Sequence, residues 1–321
     1  IASILAGRIW TGSNSISPSL AIRGRRCSRI PTALNARTGG VVMSMLQRVA
    51  RLPKKSFDMV KNATVIDKRK LYATWEHIQL TKLLAYLDVD CVFDIGASQG
   101  EYAGMLRKKA GYKGYIFSFE PNPHDARIAR ERAEGDDKWI VIELAISESD
   151  GDAQFNVMRA SQFSSLSAPK NDDVELFRHV NSVAETITVK TERLETTLRR
   201  LRAEYGFERP FLKMDTQGFD VKIVQASAGI MREFVGMQSE LAIAKLYETS
   251  VDFREAITEY ERCGFSLSAF VPNNSGHFPC LLEIDCVMIR SDLAPSWLAL
   301  GNAPESSAFP VFDPNQVWWT S

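Results

Sequence analysis

The stretch Val92–Gly100, V-F-D-I-G-A-S-Q-G, combines a buried-strand pattern with an acidic residue and two glycines. Its apolar start predicts a strand covered on both faces of a parallel sheet, and Glu101–Ala110 has helical character. A strand that turns through glycines into a helix brings backbone N–H groups close to a ligand. Asp94 adds a carboxylate beside that turn, and Ser98 stands where a dinucleotide fingerprint has its second glycine. The pattern favours a ligand with a cationic amino-acid end, such as S-adenosylmethionine; a plain strand-to-helix turn is the alternative.

Four predicted strands end in polar or small residues, namely Asp94, Glu120, Ala145 and Asp215. Ligands of open α/β sheets bind outside the carboxyl ends of the strands, so we expect these positions to meet at one edge. Glu120 follows Gly96 at a distance that suits an acid accepting both hydroxyls of a ribose, although it could be an exposed strand-end acid. Asp215 would face the cofactor or the acceptor, and it could also cap a helix predicted from Gly218.

Strands and helices alternate along the chain from residue 71 to residue 290. The predicted strands are Cys91–Ile95, Tyr115–Phe119, Trp139–Leu144, Ala153–Met158, Thr186–Val189, Phe211–Met214, Val235–Ile243, Phe265–Val271 and Leu281–Ile289. This alternation predicts an α/β fold with a doubly wound, Rossmann-like, mostly parallel sheet. The last two strands are predicted to form an antiparallel pair, so the final strand runs antiparallel to the sheet.

Charge is unevenly distributed along the 321 residues, although the formal net charge is zero. Residues 1–57 contain ten Lys or Arg and no acid, which leaves 29 basic and 39 acidic residues in the rest. That acidic excess argues against nucleic-acid binding. Five cysteines without C-x-x-C spacing indicate reduced thiols and a cytoplasmic location. The chain has no apolar run of about 20 residues, so we predict no transmembrane segment, and nothing in it indicates an oligomeric state.

The N-terminal region has two interpretations. Residues 1–42 are rich in Ser, Arg, Gly and Ala, as in a basic targeting peptide. Alternatively, translation starts at Met43 or Met45 and the earlier residues lie upstream of the protein, which we favour. We predict a disordered basic extension (1–42), a helical lead-in (43–70), a catalytic domain (71–290) and a C-terminal tail (291–321).

Four motifs occur in order and resemble the FkbM-type family of S-adenosylmethionine-dependent methyltransferases. They are D-I-G-A-S-Q-G, G-Y-K-G-Y-I-F-S-F-E-P-N-P, L-K-M-D-T-Q-G-F-D and Q-S-E-L-A-I-A-K-L-Y-E. The resemblance runs from about residue 75 to residue 290. It implies a class I methyltransferase fold, S-adenosylmethionine as cofactor, and O-methylation of a hydroxyl in a sugar, glycan, glycolipid or natural product. Many relatives read D-x-E-G where this chain has Asp215-Thr216-Gln217-Gly218, which puts in doubt any role that needs an acid at Gln217.

The resemblance also implies which residues bind the cofactor. Asp94, Gly96 and Gly100 would line its methionine end, and Glu120 would bind its ribose. Asn122 and Ile146 would lie on the adenine side. Ala97 and Ala145 complete the predicted cofactor residues.

Removing the proton of a hydroxyl acceptor calls for a general base. The candidates are Asp215, which has the best position by topology, His277 in the connection Pro272–Pro279, and Glu240 within an apolar strand. Asp215, Gln217 and Glu240 could offer oxygen ligands to magnesium, but their spacing is not diagnostic and we predict no metal site. Two other functions stay open at this point: a nicotinamide-dependent oxidoreductase, and a non-catalytic binding module with a retained cofactor fold.

Overall fold

The structure is a computed structural model that describes residues 71–170, 179–272 and 280–295. The chain divides into two compact units, Ile1–Leu71 and Tyr72–Ser321, and the described residues lie almost entirely in the second.

The predicted extension (1–42) and the lead-in (43–70) lie outside the described residues, as does most of the tail from residue 291. These three predictions therefore stay predictions.

Ten strands and six α-helices make up the described residues. The strands are β1 (Cys91–Ile95), β2 (Tyr115–Phe119), β3 (Trp139–Ile142), β4 (Ala145–Ser147), β5 (Gly151–Met158), β6 (Val183–Arg193), β7 (Pro210–Met214), β8 (Gly236–Ala242), β9 (Phe265–Val271) and β10 (Glu283–Arg290). The helices are α1 (Leu71–Tyr86), α2 (Glu101–Met105), α3 (Pro123–Ala133), α4 (Leu194–Tyr205), α5 (Asp220–Ala226) and α6 (Phe253–Arg262). Helix α2 continues into a π-helical turn over Leu106–Ala110.

Seven strands form the central sheet, in the order β3-β2-β1-β7-β8-β10-β9. The pairs β1–β2, β2–β3, β1–β7 and β7–β8 are parallel, whereas β10 runs antiparallel to both β8 and β9. The predicted fold class is confirmed, including the antiparallel final strand. The strand order reverses between β1 and β7, which is where ligands bind in such sheets.

A second sheet of three strands, in the order β4-β6-β5, was not predicted as a separate sheet. The predicted strand Trp139–Leu144 is two residues too long, because β3 ends at Ile142 and the chain then leaves the central sheet. Residues Ala145–Ser147 pair with β6 instead. Strand β6 is also much longer than the predicted Thr186–Val189. The prediction was too short because the exposed first residues of β6 lack the alternation that marks a half-buried strand.

Both faces of the central sheet are buried by apolar side chains. The aromatic rings of Phe93, Phe117, Phe207 and Phe234 pack together on one face, with centroid distances of 5.6 to 5.9 Å from Phe93 or Phe117. On the other face, α1 buries four leucines, Leu80, Leu83, Leu84 and Leu87. This double burial explains why β1 and β7 have all five residues buried in a continuous run.

Within the described ranges, no helix combines the length and apolar character that crossing a lipid bilayer requires. The four cysteines in those ranges, Cys91, Cys263, Cys280 and Cys286, are thiols that form no disulfide. Cys27 lies outside them.

Candidate functional site

The glycine turn after β1 packs directly on the end of β7. Gly96 has a φ of +75°, and a Cβ atom there would lie 2.0 Å from the backbone oxygen of Asp215. The N–H groups of Gly96 and Ala97 both donate to the carbonyl of Phe119, at 3.0 Å. A side chain at position 96 would therefore force apart the ends of three strands, and this is why the sequence needs glycine there.

Glu120 follows β2 and is held by backbone donors. The N–H of Ser98 donates to its Oε2 and the N–H of Asn122 to its Oε1, each at 2.8 Å. Burial raises the pKa of Glu120 to about 8, and the two N–H donors limit that rise. The carboxylate is thus fixed in place, with further lone pairs on each oxygen available to a ligand.

Asp94 lies inside the sheet on β1 and is 1% exposed. Its Oδ2 accepts a hydrogen bond from Ser118 Oγ at 3.0 Å, and Ser118 Oγ accepts one from Trp139 Nε1 at the same distance. Asp94 pairs in register with Lys213 on β7, so both side chains lie on the same face. Burial raises the pKa of Asp94 to about 6, and the charge of Lys213 opposes the shift.

Asp215 follows β7 and remains 37% exposed at its side chain. Gln217 Nε2 donates to its Oδ1 at 2.7 Å, and Lys213 Nζ lies 3.5 Å from its Oδ2. The helix-cap interpretation of Asp215 is wrong, because α5 begins at Asp220 and the Asp220 carboxylate binds the N–H of Thr216 at 2.9 Å. The Asp215 carboxylate is therefore available for another role.

The segment Phe163–Leu166 crosses over the turn that follows β7. Ser165 Oγ lies 3.0 Å from the carbonyl of Thr216 and 2.9 Å from that of Gln217. Tyr247 Oη lies 3.0 Å from the carbonyl of Phe163 and 2.7 Å from Gln217 Oε1. The segment and the turn are thereby held as one wall.

A cavity that is open to solvent joins these features at the carboxyl ends of β1, β2 and β7, and it holds about 630 Å³ of space when its open mouth is included. Polar groups of Glu120, Asp215 and Gln217 line it, together with Gly96 and Ser98. Its apolar lining consists of Ile95, Phe119, Leu144, Ala145, Ile146, Phe155, Leu166 and Phe219.

Residues 94–267, which are more than half of the chain, match a protein-family model that is described as "Methyltransferase FkbM domain". The chain belongs to this family. It is therefore an S-adenosylmethionine-dependent methyltransferase, as the four motifs indicate. Membership in the family favours this hypothesis over the oxidoreductase one.

Solved structures with a similar fold have low sequence identity to this FkbM-family chain. Aeropyrum pernix fibrillarin with bound S-adenosyl-L-methionine is 12% identical, with a TM-score of 0.37, over 62% of this chain and 66% of that one. Magnesium protoporphyrin IX methyltransferase from Synechocystis PCC 6803 is 8% identical, with a TM-score of 0.38, over 82% of this chain and 100% of that one. An S-adenosylmethionine-dependent methyltransferase from Aquifex aeolicus is 11% identical, with a TM-score of 0.34, over 70% of this chain and 94% of that one. A search of curated proteins found no match.

The predicted site residues of this FkbM-family chain fall into two groups. Gly96, Glu120, Ala145, Ile146 and Asp215 line the cavity. The other predicted cofactor residues, Asp94, Ala97, Gly100 and Asn122, are not part of its lining.

Two of the residues outside the lining have evident structural tasks. Gly100 precedes α2 with a φ of +83°, and a Cβ atom there would meet the Trp139 ring at 2.8 Å. Asn122 caps α3, since its Oδ1 accepts from the N–H of His124 at 3.1 Å. Their roles toward the cofactor stay predictions.

Of the two remaining base candidates, Glu240 is described by the structure and is not part of the lining of this cavity. His277 lies outside the described residues. Glu240 lines a second pocket of about 380 Å³ together with Glu283 and Tyr247. Glu240 Oε2 accepts from Gln217 Nε2 at 2.9 Å, so the Gln217 side chain lies between Glu240 and Asp215.

Sequence analysis missed an acidic cluster around Lys213. Burial raises the pKa of Glu283 to about 8 and that of Asp285 to about 7. Burial alone would lower the pKa of Lys213, but the charges of Asp215 and Asp285 raise it above its usual range. The signal was present as charged residues inside apolar strands, which need a partner or a function. Within the described ranges, no group of three or more His, Cys, Asp or Glu residues has the arrangement of a metal site.

We expect the ligand-free protein to lose stability as pH rises from about 5 to about 8. Glu120, Glu283 and Asp285 have folded-state pKa values of about 8, 8 and 7, well above those of an unfolded chain. Between the unfolded-state and folded-state pKa values, the folded protein binds more protons than the unfolded chain. The contribution of these groups to the free energy of unfolding is therefore complete below the unfolded-state pKa, and it is lost as pH rises through the folded-state pKa. Urea unfolding at pH 5, 6, 7 and 8 measures this. A free energy of unfolding that is constant or rises over that range would contradict it.

Proposed function

We propose that this chain methylates a hydroxyl group of a sugar, glycan, glycolipid or natural product, with Asp215 as the general base. The observation that carries the proposal is that Glu120 and Asp215 line the same cavity. A carboxylate is the kind of group needed to accept a hydroxyl proton during transfer. Exposure of 37% leaves the Asp215 side chain accessible to an acceptor.

The cavity fits S-adenosylmethionine by the chemistry of its lining. Glu120 would accept the ribose hydroxyls, because its carboxylate is held rigidly by two N–H groups. Ala145, Ile146 and Phe155 would cover the adenine with apolar surface. Gly96 lines the cavity and, with Ala97 in the same turn, would lie beside the methionine end. When bound, the cofactor supplies an activated methyl group, so the chain's main tasks are alignment and exclusion of water.

We also propose that the acceptor is a small molecule or a glycan, not a nucleic acid, and that the reaction takes place in the cytoplasm within a domain over residues 71–290. The acidic excess after residue 57 supports the first point. The thiols in the described ranges support the second. Asp94 on the side of the methionine end, and Gly100 and Asn122 outside the lining, would hold the site in shape.

Cofactor binding is the first test, and we expect S-adenosylhomocysteine to stabilise the protein against heat. A ligand at 100 times its Kd should add roughly 2.7 kcal/mol to the free energy of unfolding. Replacing Glu120 by alanine should weaken binding by about 1–3 kcal/mol, since the hydrogen bonds to both ribose hydroxyls are lost. Scanning calorimetry measures the stabilisation against heat, and calorimetric titration measures the affinity. Glu134→Ala, an exposed residue just after α3, is the matched control and should bind normally.

Unchanged affinity in Glu120→Ala would contradict the assignment of Glu120 to the ribose, and the absence of any binding by folded protein would contradict the cofactor site.

The identity of the acceptor requires a second experiment. Mass spectrometry of glycans and glycolipids from cells with and without the protein should find a set that gains one methylene in mass only when the protein is present. Methylation found instead on a nitrogen or sulfur acceptor would contradict the hydroxyl class.

A further inference from the structure

The side chain of Gln217 connects three polar groups beside the cavity. Its Nε2 donates to Asp215 Oδ1 at 2.7 Å and to Glu240 Oε2 at 2.9 Å. Its Oε1 accepts from Tyr247 Oη at 2.7 Å. The amide is 7% exposed, and this arrangement uses both of its N–H groups as well as its oxygen. A carboxyl group in the same place could not donate two hydrogen bonds.

The backbone at Gln217 is strained, and neighbouring residues hold it in that conformation. Gln217 has a φ of +55°, a left-handed conformation that is unfavourable for residues other than glycine. Gly218 follows with a φ of +87°, and a Cβ atom there would lie 2.5 Å from Ser250 Oγ. Ser165 Oγ binds the carbonyl of Gln217 at 2.9 Å, and Tyr247 is buried. Strain of this kind persists where several neighbours determine the geometry together, and it is concentrated at functional sites.

Carboxyl groups from several elements lie near Asp215 and interact with it electrostatically. They are Asp94 on β1, Asp220 on α5, Glu240 on β8, and Glu283 and Asp285 on β10. The structure places two donors beside the Asp215 carboxylate, the ammonium group of Lys213 and the amide of Gln217.

We propose that Gln217 is a positioning residue, which orients the Asp215 carboxylate toward the cavity by donating one N–H to it and the other to Glu240. Tyr247 orients the Gln217 amide, because its hydroxyl donates to the amide oxygen. The amide nitrogen then faces the carboxyl groups of Asp215 and Glu240. This inference rests on the proposed role of Asp215 in methyl transfer.

The variant Gln217→Glu tests the charge directly, because it keeps the shape and replaces two donors by a carboxylate. We expect the apparent pKa of Asp215 to rise by about one unit or more, since a like charge replaces a hydrogen-bond donor. Carbon-13 NMR of protein labelled at the Asp side-chain carboxyls measures this, with the resonance assigned by its absence in Asp215→Asn. The acid limb of the pH profile of kcat should shift by the same amount, whereas the Kd of S-adenosylhomocysteine changes less than threefold.

Gln225→Glu is the matched control, because it makes the same chemical change at an exposed position on α5 and should shift neither titration nor profile. Tyr247→Phe is the second variant in case Gln217→Glu does not fold. It removes the hydroxyl that orients the amide and should raise the Asp215 pKa by a smaller amount. An Asp215 titration that stays within 0.3 units of wild type in a folded variant overturns the inference.

The outcomes also separate this inference from the proposed function. If Asp215 titrates at higher pH in Gln217→Glu while Asp215→Asn turns over normally, Gln217 controls the charge but Asp215 is not the base. If Asp215→Asn is inactive and the Gln217→Glu titration is unchanged, Asp215 keeps its role and Gln217 is a structural residue only.

Discussion

Replacing Asp215 by asparagine should slow methyl transfer by a factor of about 100 to 10,000, which is the usual effect of removing a general base. Asparagine keeps the size of the side chain, and its Oδ1 can still accept the hydrogen bond from Gln217 Nε2. The amide cannot accept a proton from the acceptor, and it has no charge to pair with Lys213. S-adenosylhomocysteine affinity should change by less than tenfold, because Glu120 and the glycine turn are untouched.

Single-turnover methyl transfer to the acceptor found by mass spectrometry measures the rate, and calorimetry measures the affinity. Asp137→Asn, an exposed position before β3, is the matched control and should retain wild-type rate. A rate for Asp215→Asn within tenfold of wild type would assign the base to another group, with Glu240 and His277 as the next candidates. Asp215 would then be a residue that orients the acceptor.

Replacing Gly96 by alanine should lower the free energy of unfolding by roughly 2–5 kcal/mol. The new Cβ atom would lie 2.0 Å from the backbone oxygen of Asp215, so the ends of β1 and β7 have to move apart. Such overpacking costs about 1–3 kcal/mol, and the left-handed backbone adds about 1–2 kcal/mol for a residue with a Cβ. Urea unfolding measures the loss. Cofactor affinity should fall as well, because the same displacement moves two walls of the cavity.

Gly111→Ala separates the two causes. Gly111 has a φ of +67°, close to that of Gly96, but a Cβ atom there has no neighbour within 4 Å. This variant should lose only the backbone contribution, about 1–2 kcal/mol, and should bind S-adenosylhomocysteine normally. Equal losses in both variants would mean that the β1–β7 contact accommodates a methyl group and that the turn is less rigid than the structure indicates.

Local patterns were sufficient to predict the sheet and the places where its strands end. Runs such as C-V-F-D-I and P-F-L-K-M appear as buried strands because both faces of the sheet are covered. They also place Glu120 and Asp215 at the same edge, since parallel strands end together. Parts of β5 and β6 were predicted as strands, but their pairing into a second sheet was not, because local periodicity does not show which strands pair.

By itself, the sequence determined the family and the mostly parallel α/β sheet, because these depend on motifs and on short-range periodicity. The residues assigned to the cofactor stay a prediction. Only the tertiary structure decided that Asp215 is not a helix cap, that Glu240 faces a different pocket, and that Gln217 lies between them. Two of these contacts join Gln217 to Glu240 and Tyr247, which lie 23 and 30 residues further along the chain. The charge state of a buried carboxyl group depends on which groups surround it in space, and no local spacing in the chain encodes that arrangement.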